Sequence, residues 1–465
     1  MKKPFAIIIE AALAALILFT PFAFGAAPLW AYTFMELTVL FIVTVWVIKM
    51  ISEGELKFPR TPLNLFILLF LILVIFQIVP LPEFLLNIIS PATGQFYDDT
   101  YKAIAAGLPS GSIAPRLAST VSLNPYATKA EFIKFLAYLG TFFIVIANFN
   151  SRARLRRLLI VIVATGFLLA LFALIQYFTW NGRVYWFYDY IKGGSPFGPF
   201  INKNNFAGYI NLIIPLALAM TFYEKDKAVK ILFAFMALVM TGALFLSMSR
   251  GGSLAFLGSM AFMGFLLFFT RQGQGRRLAF VIPGIFLVVV FFFLASVGID
   301  PVVERLSTLT SSATYTRQVR WTVWASTIQI IKDYPVLGTG LETFETVFPA
   351  YRSPQVWNLH WRDAHNDYLQ LLAETGFIGF LIALSNFVIF FRLAFRKVFA
   401  REGKGGQLTA WLLGSVVAFL LTIVVTSNSH IPATVLLFSV ICAIVVRLAM
   451  NDVSVRDSER IVERS

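Results

Sequence analysis

The residues best suited to chemistry gather in one stretch, Trp361-Arg362-Asp363-Ala364-His365-Asn366-Asp367-Tyr368. A polar, charged edge turns there directly into the apolar run Leu369-Gln370-Leu371-Leu372-Ala373-Glu374-Thr375-Gly376. His365, Leu369, Leu372 and Gly376 recur at helical spacing and so share one face. Asp363 has the side chain of an N-cap, which predicts His365 in the first helical turn. The positive end of the helix dipole disfavours an imidazolium there, leaving a neutral, proton-accepting imidazole. Two readings follow: a general base at the rim of a membrane helix, or an ordinary polar cap on such a helix. His360, earlier in the same stretch, is the rival for the first role.

Arginines form a second constellation. Arg250 lies in Ser247-Met248-Ser249-Arg250-Gly251-Gly252, a very short turn between two apolar runs, where glycines let a ligand approach the backbone. Arg317 and Arg320 open a further helical stretch, and Arg352 and Arg362 flank the one after it. A planar guanidinium binds two phosphate oxygens at once, so Arg250, Arg317, Arg320 and Arg362 are candidate contacts for phosphate. The alternative is that Arg250 snorkels to lipid headgroups while the others are solvated, and it weighs most at Arg317 and Arg352.

Asn202, Asn204 and Asn205, with Lys203, open another apolar run in Gly198-Pro199-Phe200-Ile201-Asn202-Lys203-Asn204-Asn205-Phe206. Helix capping accounts for one or two of them. Asn202 and Asn205 also enter as candidate hydrogen-bonding contacts to sugar or phosphate.

Several kinds of site are missing. The three histidines and the single cysteine, Cys442, are scattered without zinc-ligand spacing, and one cysteine permits no intramolecular disulfide. The loop 25–33 holds no carboxylate, no Asp-x-Asp pair occurs, and the adjacent Asp98-Asp99 reads as a turn. A divalent metal bridging a phosphate donor needs oxygen ligands, so a metal-free reaction with arginines neutralising charge is expected. No Walker or Rossmann glycine loop is present, and no cofactor is expected.

The elements that must position these residues are membrane helices. Of the 465 residues, 58% are hydrophobic and 13% charged, against about a quarter charged in soluble domains. Apolar segments at 5–24, 34–51, 63–80, 128–147, 158–178, 206–223, 231–248, 253–269, 278–297, 375–395, 408–426 and 431–449 are each near spanning length. The reading is an all-α polytopic membrane protein with about twelve transmembrane helices, a single membrane domain over 1–465 holding one large loop, 298–374. Lys2 and Lys3 ahead of 5–24, with Gly25-Ala26-Ala27 after it, give that run signal-peptide features. Its length and the many later spans predict a retained first helix.

The connecting loops alternate in charge. Lys49, Lys57 and Arg60; Arg152, Arg154, Arg156 and Arg157; Lys225, Lys227 and Lys230; Arg271, Arg276 and Arg277; and Arg396, Lys397, Arg401 and Lys404 fall on one side, with both termini. That side is predicted to be cytoplasmic, which explains the net charge of +14 by topology rather than by nucleic-acid binding. The outer side carries the long connections 81–127, 179–205 and 298–374, and all three histidines, His360, His365 and His430. Arg250 on that side runs against the usual bias.

The largest loop has an architecture of its own. Residues 316–334 carry Val319, Trp321, Val323, Trp324, Ile328 and Ile331 at a helical period, and Pro335 with Gly338-x-Gly340 ends the pattern. An amphipathic helix, a glycine turn, a short helix near 342–351 and entry to a span near Thr375 are expected. No internal repeat is found, which argues mildly against transporters built from repeated halves.

Taken in order, these motifs resemble the O-antigen ligase and O-antigen polymerase family of bacterial inner-membrane glycosyltransferases. The matching pieces are 198–205 with Phe206-Ala207-Gly208, Ser249-Arg250-Gly251-Gly252, Arg320 with Trp324, Pro335-Val336-Leu337-Gly338-Thr339-Gly340, and Ala364-His365-Asn366-Asp367-Tyr368-Leu369-Gln370 through Glu374-Thr375-Gly376. They cover the second half of the chain; the first half is matched through topology alone. The resemblance implies a type C glycosyltransferase fold with a large helical periplasmic loop. It implies transfer of a glycan from an undecaprenyl-diphosphate carrier to a glycan or lipid A-core acceptor at the periplasmic face, in lipopolysaccharide biosynthesis. On that pattern Arg250 and Arg320 hold the diphosphate and His365 is the general base. Ligases, repeat-unit polymerases and enzymes that glycosylate pilin share these motifs, so the acceptor stays open, with loop 81–127 a candidate for tuning it. A flippase or exporter of lipid-linked sugars is the alternative of another class. Such proteins place ionisable groups near the membrane midplane, whereas the spans here read as nearly free of charge, with Glu10 and Glu36 near ends.

Overall fold

The computed structural model describes residues 2–54, 56, 58–107, 119–190, 194–269, 284, 311–356, 360–400 and 403–462. The chain is all-helical in its regular structure: α1 (Lys2–Phe22), α2 (Leu29–Ser52), α3 (Asn64–Ile78), α4 (Glu83–Ile89), α5 (Pro91–Ala106), α6 (Pro125–Asn148), α7 (Arg152–Phe178), α8 (Lys203–Tyr223), α9 (Lys227–Leu246), α10 (Arg250–Phe269), α11 (Ser311–Asp333), α12 (Phe344–Tyr351), α13 (Asp367–Val398), α14 (Gly403–Thr422) and α15 (Pro432–Val462). Among the described residues ten helices are long and apolar enough to cross a membrane, and each coincides with a segment expected from the sequence. The expected span 63–80 forms the shorter α3, closed off before Pro80 and Pro82. At about 1.5 Å per residue its length falls below the ~30 Å hydrocarbon core. The expected span 278–297 lies outside the described residues apart from Gly284.

Two compact units are built from this chain. The first comprises Met1–Thr61, Leu136–Glu304 and Phe390–Ser465, and α8 is its centre, packed against α7, α9, α10, α14 and α15. Every residue of α8 from Phe206 to Ala217 is buried. Between membrane helices close packing replaces the solvent-driven term, and small residues permit it. A Cβ on Gly252 would stand 2.5 Å from the Ala207 methyl, and one on Gly166 would meet the Ile213 side chain at 2.8 Å. At one end of this unit the basic loops gather acids: Arg154 and Arg157 reach Glu10 at 2.9 and 2.7 Å, and Arg156 reaches Glu224 at 2.7 Å.

The second unit comprises Pro62–Phe135 and Arg305–Ile389. Its core holds Leu123, Val323, Ile330, Ile331, Tyr334, Phe344, Val347, Phe348, Val356, Ala364 and Ala373. The amphipathic helix and the short helix expected in the large loop appear as α11 and α12. Val319, Val323 and Ile331 face the core, but Trp321 and Ile328 are exposed. At 100° per residue they sit too far round α11 to share that face. Asp98 and Asp99, read as a turn, lie instead within α5, where Asp99 pairs with Lys102 one turn on, a spacing a helix favours.

One irregularity organises this unit. α13 breaks at Gly376 (φ 63°, ψ −173°), a backbone region open to little but glycine. The break also corrects the expectation that Gly376 shares one continuous helical face with His365 and Leu372. Carbonyls and N–H groups that lose their helical partners are taken up by the segment before α12. Thr339 N donates to Ala373 O at 3.0 Å and Gly340 N to Glu374 O at 2.9 Å. In return Phe377 N donates to Pro335 O at 2.8 Å and Ile378 N to Val336 O at 3.3 Å. The two backbones lie so close that a Cβ on Gly338 would stand 2.3 Å from the Glu374 carbonyl carbon, and one on Gly376 2.3 Å from that of Val336. Gln77, fully buried at the end of α3, donates to both Leu337 O and Glu374 O and accepts from Leu341 N.

Gly376→Ala should therefore cost about 3 kcal/mol or more, from backbone strain and steric overlap together. Gly242→Ala, in the interior of α9 with open space at its Cβ, should be neutral or stabilising. Thermal unfolding of both variants in detergent checks the contrast.

Candidate functional site

In the second unit the site begins with the entry to α13. The expected cap at Asp363 is replaced by Asn366, whose Oδ1 accepts from Leu369 N at 3.1 Å and whose carbonyl accepts from Gln370 N at 3.0 Å. The helix starts at Asp367, so His365 stands just before the first turn rather than in it. The positive end of α13 still adjoins it. His365 takes a left-handed backbone, φ 52°, a region histidine enters more readily than most side chains but still uncommonly. Its ring is half-buried and meets Trp361 edge-to-face at 5.5 Å.

This conformation is held from both sides of the preceding residue. Trp324 of α11 donates its indole N–H to Ala364 O at 3.0 Å, and Gln370 Oε1 accepts from Ala364 N at 2.9 Å. Gln370 Nε2 in turn donates to Glu374 Oε1 at 3.0 Å. Glu374 is 2% exposed, and its carboxylate also accepts from Glu342 N at 2.7 Å and Phe344 N at 3.1 Å. A buried carboxylate is tolerable where its lone pairs are met in this way. One relay thus runs from the glycine turn through Glu374 and Gln370 to the backbone that presents His365.

The arginines divide. Arg320 shares the α11 face of Trp324, four residues apart, and is partly buried. Burial lowers its pKa below the usual arginine value, and a guanidinium stays charged regardless. Arg362 is exposed and sits 3.8 Å from Glu342 Oε1. Arg317 lies on α11, but its side chain is outside those described. His360, the rival base, is exposed and pairs with Glu345 at 2.8 Å.

In the first unit, Asn202 is the N-cap of α8, its Oδ1 accepting from Asn204 N at 2.9 Å. Asn205 is half-buried in the first turn, its N–H donating to Asn202 O at 3.0 Å. Asn204 brings the two sequence motifs together: Ser249 Oγ donates to Asn204 Oδ1 at 2.7 Å and accepts from Gly252 N at 3.2 Å, capping α10. Asn211 Nδ2 donates to Gly252 O, and Asn428 packs where a Cβ on Gly208 would stand. Arg250 is the exposed first residue of α10, reached through Met248 at φ 53°.

Sequence reasoning missed Glu374, Gln370 and Gln77 as positioning residues. Their signal was a carboxylate and two amides inside otherwise apolar runs. It also missed Glu131 and Lys134 on α6, which pair with each other inside an expected span. The reading of the spans as nearly charge-free is corrected to that extent. Among the described residues no three His, Cys, Asp or Glu side chains are grouped to hold a metal ion.

Ten apolar spanning helices and a histidine presented by a clamped backbone at the start of one of them define a multi-pass, all-α membrane protein with a candidate proton-transfer site. Residues 235–384 match the O-antigen ligase family model. The matched segment includes Arg250, Arg317, Arg320, Arg362 and His365, and leaves out Asn202 and Asn205. No curated protein matches the chain. The family match supports an O-antigen ligase-like, glycosyltransferase-like role in polysaccharide biosynthesis.

Gln370→Ala leaves the Ala364 N–H without its acceptor, at a cost of about 1–3 kcal/mol. Hydrogen exchange of a peptide covering 361–369 in the full-length protein should speed up by about tenfold or more, since ~1.4 kcal/mol is a factor of ten. Unchanged exchange there would remove Gln370 from the positioning role.

Proposed function

We propose that the chain transfers a glycan from an undecaprenyl-diphosphate carrier to an acceptor hydroxyl at the periplasmic face of the bacterial inner membrane. The acceptor is the lipopolysaccharide core or another surface polysaccharide. The observation that carries this is His365, held on a left-handed backbone by Trp324 and Gln370 inside the segment that matches the O-antigen ligase model. His365 takes the proton of the acceptor hydroxyl as that oxygen attacks the anomeric carbon. The bond from that carbon to the carrier phosphate oxygen breaks, and the lipid diphosphate leaves. Arg250, Arg317, Arg320 and Arg362 stabilise the charge developing on it, in place of a metal, and no cofactor takes part. Asn202 and Asn205 serve first as the α8 cap and its neighbour, with sugar contacts secondary. In this reading 298–374 is a periplasmic loop within one membrane domain, both termini are cytoplasmic, and membrane lipids and the lipid-linked donor are the partners.

Polymerisation of lipid-linked repeats uses the same residues and differs only in the acceptor. Export of the lipid-linked sugar draws on a different observation, the Glu131–Lys134 pair within α6. Reconstitution with one defined lipid-linked glycan and competing acceptors separates the three. Product on the core, product on a second lipid-linked repeat, or translocation without any new glycosidic bond identifies ligase, polymerase or exporter.

His365→Ala is expected to abolish transfer while the protein still elutes as a folded species in detergent; full activity of that variant removes His365 as the base. Arg250→Ala should raise the KM for the donor at least tenfold, about 1.4 kcal/mol of lost binding. Unchanged donor saturation counts against its phosphate role. Activity should survive chelation, and its restoration by added metal would contradict metal independence.

A further inference from the structure

The hairpin after α7 is unlike an ordinary connection. Val184 and Tyr188 exchange backbone hydrogen bonds at 3.0 and 2.8 Å, leaving Tyr185, Trp186 and Phe187 as a three-residue tip. Tyr185 and Trp186 both have left-handed backbones, φ 56° and 63°, where bulky aromatic residues are rare. Side chains hold them there. The Tyr185 hydroxyl donates to Phe22 O at the end of α1. The Trp186 indole donates to Thr179 Oγ1 at 3.0 Å, and Asn181 Nδ2 donates to Trp186 O at 2.8 Å.

The side of α7 against which this tip folds is its exposed one. Leu168, Leu171, Ile175 and Phe178 form an exposed apolar stripe at helical spacing along the spanning helix, the face such a helix turns to lipid. Phe172 lies beside that stripe, and the rings of Tyr185 and Trp186 pack on it at 5.0 and 5.8 Å. Phe187 at the tip is 73% exposed, as is Phe178. Arg183 and Asp189 form an ion pair at the base of the hairpin. The hairpin is therefore polar at its base and apolar at its tip.

We propose that this hairpin is an interfacial anchor, its aromatic tip inserted in the lipid leaflet at the C-terminal end of α7 and its charged base in the headgroup layer. Aromatic rings are favoured at that depth, and the tip packs on Phe172 beside the lipid-facing stripe. The use of the hydrogen-bonding groups favours lipid over a sugar as occupant. The Tyr185 hydroxyl and the Trp186 indole N–H are both spent on the protein itself, so the tip turns hydrocarbon outward.

The test uses the full-length chain with Cys442→Ser, carrying a single nitroxide-labelled cysteine at Phe187→Cys, Phe178→Cys or Asp189→Cys, in phosphatidylcholine vesicles. Collision accessibility to oxygen against a water-soluble nickel chelate reports depth. The label at 187 should match that at 178, with an oxygen-to-nickel ratio several-fold above that at 189. A ratio at 187 equal to that at 189 overturns the proposal. A water-accessible 187 that only added maltohexaose shields overturns it too, in favour of a sugar platform. Because labelling could disturb the tip, brominated phosphatidylcholine is also applied to the unlabelled protein and to Trp186→Phe. Loss of a quenched tryptophan component in the variant supports the anchor, and an unchanged quenched fraction opposes it.

Discussion

A membrane helix that breaks must find new partners for its backbone, and that requirement shapes the unit around α13. At Gly376 the chain leaves helical geometry, and the groups on either side lose the hydrogen bonds their own helix would supply. In an apolar setting each unmet N–H or carbonyl costs on the order of several kcal/mol. The 335–340 segment answers with four backbone bonds, two in each direction. Glycines at 338 and 376 let the two backbones approach that closely. Gln77 then ties the end of α3 to both strands of this junction.

The histidine depends on the same junction. Glu374, two residues before the break, accepts from the N–H groups that open α12 and holds Gln370. Gln370 fixes Ala364, and Trp324 fixes it from the other side. The backbone that presents His365 is thereby fixed at the residue before it.

In the other unit polar groups are spent on helix ends within an apolar hub. Asn202, Asn204, Ser249 and Asn428 cap or link the starts of α8 and α10 and the approach to α15. Arg250 is carried on that capped end, and its exposure is a consequence of the tight turn at Met248 and Ser249. The asparagines therefore have a structural occupation whatever they touch in a complex.

Much was legible in local pattern. Ten spans, the amphipathic α11, the glycine turn and the short α12 follow from periodicity and turn chemistry, because those signals act over a few residues. The polar motifs were visible as types and spacing. Tertiary structure decided the rest. Whether Asp363 or Asn366 caps α13 is a contest between two good caps, settled by the clamp on Ala364 from a helix some forty residues earlier. Whether Gly376 continues a helix or ends it depends on partners at 335–340, which no window around Gly376 contains. The pairing of Glu131 with Lys134, and the burial of Gln77 and Glu374, likewise rest on neighbours brought in by the fold. The sequence by itself determined which side chains could do chemistry; long-range backbone pairing decided the backbone from which His365 is presented.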